Sequence, residues 1–170
     1  LVSGQTRNGK ITFEQYIQAA GFDSILQAAN RHLLPMSDNQ FQLYRQTNAV
    51  GKQTNTFLDL EVLDISTGKR RPVGNLSGGE SFKASLSLAL GLSYTIAENR
   101  GGIQMDALFV DEGFGTLDSK SLEETKDALL SMSGENKLVG IISHRDELMD
   151  IPQKLRVTKG RGGSRIQMEL

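Results

Sequence analysis

Leu76-Ser77-Gly78-Gly79-Glu80 is the stretch on which the reading of this chain turns. Ser77 and Glu80 stand at the S-x-x-E spacing of a capping box. In that arrangement the hydroxyl accepts from the amide three residues on, and the carboxylate accepts from the Ser77 amide. Gly78 and Gly79 lack a Cβ, so another molecule can approach their backbone closely. Behind them Phe82, Leu86, Ala89, Leu90 and Ser93 recur at three- and four-residue steps, which predicts a helix from Ser81 to about Glu98. A helix start carries free amides and the positive end of the macrodipole, and so favours anions. The stretch reads in two ways: an ordinary capped helix after a glycine turn, or a surface built to touch a phosphate. The sequence further along decides between them.

Ala107-Leu108-Phe109-Val110 is a continuous apolar run, the pattern of a strand buried on both faces, and it ends in Asp111-Glu112. Carboxylates at the carboxyl edge of a core strand stand where open α/β sheets hold their ligands. On an extended chain the two point to opposite sides, so one suits a cation and the other a proton. Two anions beside a core strand repel unless a cation or proton separates them. Residues 113–118 read as a loop, and Asp118 is placed to cap a helix from Ser119 to about Met132. Lys137 to Ser143 is a second apolar strand, followed by His144. Two such strands joined by one helix form a parallel, right-handed βαβ unit, which brings His144 near Asp111 and Glu112. Leu155-Arg156-Val157 and Arg165 to Leu170 flank Gly160 to Ser164, the pattern of a closing β-hairpin.

Upstream, residues 1–10 are polar and read as a linker or frayed end. Gly4 to Lys10 fits G-x-x-x-x-G-K, but Ile11 stands where a phosphate loop needs Ser or Thr, and only three residues precede Gly4. Gly51-Lys52 fails as well, because Gln46 occupies the first glycine position. Thr12 and Gln15 make a second capping-box spacing for a helix to about Leu34. Its apolar stripe is Phe13, Tyr16, Ile17, Ala20, Ile25, Ala28, Ala29 and Leu33, and Pro35 ends it. His32 has no carboxylate or second histidine at ligand spacing and reads as structural. Phe41 to Arg45 and Phe57 to Asp64 alternate apolar and polar, so they are expected to pair across the polar residues 48–55. Ser66 to Lys69 is a turn. Lys69, Arg70 and Arg71 then form a short basic cluster, either a solvated loop tip or a contact for a DNA backbone.

Composition narrows the class. The chain has 170 residues, 38% of them apolar and 23% charged, which fits one globular unit with a real core. A net charge of -1 gives no global basic field for nucleic acid. The absence of cysteine excludes a disulfide scaffold and thiolate metal sites. No apolar run is long enough to span a bilayer, and no signal peptide is recognisable, so a cytoplasmic protein is expected. The chain opens on Leu1, not Met, and is expected to be a piece of something longer.

Taken in order, LSGGE, helix, ALFVDE, G-TLD and IISH resemble the C-terminal half of an ABC-type ATPase head. Leu76 to Glu80 matches the signature motif, Ala107 to Glu112 matches Walker B, Gly115 to Asp118 matches the D-loop, and His144 matches the switch histidine. Transporter ATPases usually read LSGGQ, and DEP after the strand. Here Glu80 and Asp111-Glu112-Gly113-Phe114-Gly115 stand instead. ESFKASLSLALGLS, LFVDEGFGTLD and ISHRDEL are similar to the SbcC family of SMC-like ATPases, which work with a nuclease. FEQYIQAAGFDSILQAANRHL resembles that family's segment leading from its coiled coil into the head. The likeness runs from about Ile11 to Leu170.

The resemblance implies an α/β fold of the P-loop NTPase class. Its parts are parallel core strands with flanking helices, further antiparallel strands and a C-terminal hairpin. Residues 11–170 would be the C-terminal lobe, with 11–34 leading from the coiled coil. The family's Walker A loop and Q-loop lie in an N-terminal lobe of the same polypeptide, and neither is found here. This stretch alone is therefore expected to be inactive. In the family two heads close on two ATP molecules. Leu76, Ser77, Gly78, Gly79 and Glu80 would form a nucleotide-binding stretch, with Ser77 and Gly79 touching the γ-phosphate of ATP on the other head, and Asp118 would line the interface. Asp111 would hold Mg²⁺, Glu112 would act as general base, and His144 would contact the γ-phosphate. The implied partners are the N-terminal lobe, a second head, an SbcD-type nuclease subunit and double-stranded DNA, with no membrane. The alternatives are an SMC- or RecN-like head without a nuclease, and a transporter ATPase, which Glu80 and the FGTLD loop oppose.

Overall fold

The computed structural model describes residues 4–6, 9–11, 13–46, 58–99, 107–133 and 138–169. At the start, β1 (Gly4–Thr6) pairs antiparallel with β2 (Gly9–Ile11), so part of the stretch read as a linker or frayed end is a short ladder. Gly9 and Lys10 lie within β2, not at the start of a helix as a phosphate loop requires. Thr12, expected to cap the first helix, and the polar residues 48–55 lie outside the described residues.

Helix α1 (Phe13–Met36) runs two residues past the expected end and carries Pro35 in its last turn. Proline removes one helical amide, and the chain closes beyond it with the Ser37 amide on the Leu33 carbonyl at 2.9 Å. Asp38 and Asn39 then take left-handed backbones, φ 50° and 56°, which short polar side chains tolerate, and turn the chain into β3 (Phe41–Arg45). β3 pairs antiparallel with β4 (Leu60–Asp64), and β4 with β5 (Arg70–Pro72), giving the order β3-β4-β5. The Asn30 side chain both donates to the Leu43 carbonyl at 2.9 Å and accepts from the Leu43 amide at 2.8 Å. It fills the place of a further strand at the β3 edge and fastens α1 there.

Helix α2 (Gly78–Asn99) joins two apolar cores. Ala84 packs with Leu26, Leu33, Phe41, Leu43 and Val62 from α1 and the antiparallel sheet. Leu86 and Leu90 pack with Val110, Phe114, Leu117, Leu122 and Leu129 on the other side. The turn at the head of α2 is thus set by packing along the helix's length. The second core closes around β6 (Ala107–Asp111), α3 (Ser119–Met132) and β7 (Leu138–Ile142), and β6 and β7 are parallel as the βαβ reading requires. The chain ends in the antiparallel hairpin of β8 (Lys154–Gly160) and β9 (Gly163–Glu169).

One expectation fails. β6 and β7 are not buried on both faces: Phe109 is 64% exposed and Leu138 60% exposed. An apolar run shows that a strand is meant to be covered, not that the cover lies within the same stretch of chain. Leu155 and Val157 of β8 face Met168 and Ile166 of β9 across the ladder, and all four are exposed. Tyr16 and Ile17 of the expected α1 stripe are exposed too.

Candidate functional site

The glycine turn forms the expected capping box, with one addition. The Ser77 amide donates to Glu80 Oε2 at 2.8 Å, and the Glu80 amide donates to Ser77 Oγ at 3.3 Å. The helix therefore begins at Gly78, earlier than the apolar periodicity indicated. The Gly78 and Gly79 amides fall in its first turn, where no intrahelical carbonyl can serve them. The addition is Arg71, whose guanidinium donates to Glu80 Oε1 at 2.7 Å and to the Asn75 carbonyl at 2.7 Å. Burial pushes the Glu80 carboxyl up, but the Ser77 amide and the Arg71 guanidinium outweigh it, and the group sits below its ordinary value. Arg70 is engaged as well, paired with Glu61 and lying over the Tyr44 ring. Two of the three residues of the basic cluster thus have partners within the fold, while Lys69 and Arg70 stay exposed at the surface.

The turn is packed against residues 113–118. A Cβ on Gly78 would meet Thr116 Cβ at 3.3 Å, and one on Gly79 would meet Leu117 Cδ2 at 3.3 Å. The two glycines are needed inside the chain as well as toward any ligand. Phe114–Thr116 form a single 3-10 turn, and Asp118 caps α3 by accepting from the Ser121 amide at 2.7 Å, as expected. Lys83, almost fully buried, donates to Ser121 Oγ at 2.9 Å and to Glu124 at 3.2 Å, tying α2 to the start of α3. Arg145 donates to the Phe114 and Leu117 carbonyls at 3.3 and 3.2 Å and holds the same loop from the β7 side. The turn opens on a cavity of about 510 Å³ whose walls include Ser77, Gly78, Gly79, Glu80, Lys83, Asp118 and Lys120.

Asp111, Glu112 and His144 form a second group. β6 ends at Asp111, and Glu112 leaves the strand with a left-handed backbone, φ 55°. The strand alternation expected to separate the two carboxylates therefore stops at Asp111; a backbone reversal separates them instead. A left-handed non-glycine residue costs of order 1–2 kcal/mol, and such strain collects at functional sites. The Glu112 amide is fixed on the Ile142 carbonyl at 2.9 Å, which ties the turn to β7. Gly113 follows at φ 91°, and a Cβ there would sit 2.3 Å from the Phe82 ring. Proline, with φ locked near about −65°, cannot occupy that position, which accounts for DEG in place of DEP. Glu112 Oε1 and His144 Nδ1 are 3.1 Å apart, so the parallel pairing of β6 and β7 delivers the expected contact. Both side chains are solvent-exposed.

The predicted residues therefore fall into two sets. Ser77, Gly78, Gly79, Glu80 and Asp118 share the cavity, while Asp111, Glu112 and His144 are not among its walls. Leu76 packs on the first core beneath the turn. Among the described residues no three His, Asp or Glu side chains gather at metal-binding geometry. Mg²⁺ needs less, since it keeps several waters and takes one or two carboxylates plus substrate phosphate oxygens. Asp111, at the carboxyl end of β6, is the carboxylate that could serve such an ion. Lys83 and Arg145 are not legible in the sequence because their partners lie 38 or 41, and 28 or 31 residues away, and Arg71 shows there only as a member of the basic cluster.

The SbcC/RAD50-like, Walker B motif family matches residues 49–130. The SbcC chains of the SbcCD nuclease from Staphylococcus aureus strains JH9 and Newman are each 43% identical over 158 residues, 92% of this chain. The chain belongs to the SbcC/RAD50-like family. It spans 15% of the length of those relatives. The same fold occurs in SMC ATPase heads. A structure from work on ATP-driven dimerization and DNA-stimulated activation of SMC ATPases aligns at TM-score 0.66 and 15% identity, covering 91% of this chain and 88% of that one. The SMC head domain from Thermotoga maritima aligns at TM-score 0.59 and 17% identity, covering 91% and 51%. This SbcC/RAD50-like segment thus has the fold of the C-terminal half of an ABC-type ATPase head. Among the described residues no helix is long and apolar enough to cross a membrane.

Proposed function

We propose that this segment is the C-terminal half of the ATP-hydrolysing head of an SbcCD-type nuclease complex. In this reading closure of two heads on ATP controls the access of a partner nuclease to double-stranded DNA. The observation that carries it is the division of the site into two sets. A donor-rich glycine turn opens on one cavity, a carboxylate–histidine pair stands outside it, and the chain has no phosphate loop of its own. Such halves fit a symmetric dimer in which each nucleotide takes the Glu112 set from one head and the Ser77 set from the other.

In that arrangement Ser77 Oγ and the Gly79 amide donate to the γ-phosphate held by the partner head, and Gly78 lets the backbone approach. Asp118 lines the head–head interface. Asp111 would hold Mg²⁺, whose charge neutralises phosphate oxygens. Glu112 takes the proton of the attacking water, and its left-handed backbone aims the carboxylate off the strand end. His144 orients Glu112 through the 3.1 Å contact and reaches the phosphate with its other ring nitrogen. The exposed apolar faces of β6–β7 and of the β8–β9 hairpin support docking of the N-terminal lobe. Without the N-terminal lobe the segment is inactive, and the assembled protein acts in the cytoplasm at the nucleoid. The second reading, an SMC- or RecN-like head with no nuclease, shares the fold but not the close sequence likeness to SbcC. Co-purification with a metallophosphoesterase separates the two.

The test of the hydrolytic role is Glu112→Gln in the full-length parent protein. The amide keeps the shape and cannot take a proton, so the rate is expected to fall about 10²–10⁴-fold with ATP still bound. ATP-bound dimers should accumulate on gel filtration. A variant that turns over like wild type removes Glu112 from the base role.

A further inference from the structure

Glu80 presents a chemical puzzle. A glutamine there would still cap the Ser77 amide through its single carbonyl oxygen, so the capping box alone does not ask for a carboxylate. The structure shows what does. Two donors approach Glu80 from different sides, and each takes its own oxygen: the Ser77 amide holds Oε2 at 2.8 Å, and the Arg71 guanidinium holds Oε1 at 2.7 Å. Glutamine can accept at one oxygen only. Its NH₂ group would face either Arg71 or the Ser77 amide, donor against donor. Arg71 is itself fixed, because its other terminal nitrogen donates to the Asn75 carbonyl at 2.7 Å in the 3-10 turn that precedes the glycine stretch. Both side chains are half-buried.

We infer that Arg71 is a positioning residue: through Glu80 it locks the Ser77 turn to strand β5, and it is the reason this turn carries glutamate. The inference rests on the reading of Ser77 as a phosphate contact, and it gives Glu80 a different job from nucleotide binding. With the Ser77 amide occupied by Glu80 Oε2 and the Ser77 oxygen accepting from the Glu80 amide, the hydroxyl proton is the group left to donate outward. Freeing Glu80 from Arg71 lets the carboxylate swing away and loosens the start of α2 without touching either core.

The test is a double-mutant cycle in the full-length parent protein with Arg71→Met, Glu80→Gln and the pair, plus Arg71→Lys as the conservative variant. Affinity for a fluorescent ATP analogue, steady-state hydrolysis and amide exchange at residues 77–80 are measured on each. Either single change should lower kcat about tenfold and speed exchange at those amides, with analogue affinity unchanged. Adding Glu80→Gln to Arg71→Met should cost less than about twofold more, because the partner is already gone. Arg71→Lys should recover part of the rate. Additive losses, a wild-type rate in Arg71→Met, or rate and analogue affinity falling together would each overturn the inference. A wild-type protein without hydrolysis would instead bring down the functional reading. Amide exchange then decides on Arg71 alone: faster exchange at 77–80 upholds the lock, and unchanged exchange rejects it.

Discussion

Two carboxylates beside the glycine turn are held in their charged form by hydrogen bonds. The Ser121 amide and hydroxyl keep Asp118 below its ordinary value of 3.8. Glu80, pushed up by burial, is brought below its ordinary 4.5 by the Ser77 amide and Arg71. A carboxyl depressed in the folded state contributes stability that is complete above its unfolded value and is lost as pH falls through the folded one. The reassembled head should therefore lose stability below about pH 4.5 for Glu80 and below about pH 3.8 for Asp118. Glu80→Gln and Asp118→Asn should each flatten that acid limb in denaturant titrations at stepped pH. Curves parallel to wild type would show that neither bond matters to folding. The caps themselves were legible in the sequence, since Ser77/Glu80 and Asp118 stand at local spacings. Arg71 was not, because nothing in a run of Lys69, Arg70 and Arg71 says which one faces inward.

At the scale of elements, α2 is wedged between two cores and crosses α1 at Gly91. A Cβ there would lie 2.5 Å from the Ala29 nitrogen and 2.6 Å from the Ile25 oxygen, and backbone atoms cannot step aside as a flexible side chain can. Alanine favours a helix over glycine by about 0.8–1 kcal/mol. The clash should outweigh that gain, since overpacking costs about 1–3 kcal/mol. Gly91→Ala is thus expected to lower the denaturation midpoint of the reassembled head, and a higher midpoint would mean the helices separate easily. Periodicity located α2 and α3 because each has one apolar stripe. It could not locate Gly91's contact, which depends on where two helices cross. Nor could it foresee that Phe109 and Leu138 stand open, because an apolar run carries no record of which chain covers it.

At the scale of the whole molecule, the fold of one half of an ABC-type ATPase head stands with the apolar faces of β6–β7 and β8–β9 open. Without a loop to cradle the α- and β-phosphates, the isolated segment should bind Mg-ATP no more tightly than about millimolar, roughly 4 kcal/mol, by calorimetric titration. Micromolar binding would revive the Gly4 to Lys10 sequence that its short β1–β2 ladder argues against. The order of the motifs was legible because each is local. What the sequence does not show is that Ser77, Gly78, Gly79, Glu80 and Asp118 line one cavity, with Glu112 and His144 not among its walls.

The central claim is that each nucleotide is served by the Glu112 set of one head and the Ser77 set of another. It is tested most directly by mixing two defective parent proteins, Ser77→Arg and Glu112→Gln, and measuring ATP hydrolysis. In a mixed dimer one site collects both defects and the other collects none. The account predicts that two nearly inactive preparations regain about a quarter of the wild-type rate on mixing, as random pairing in a two-fold dimer requires. A mixture no more active than the sum of its parts would show that the two sets act within one chain.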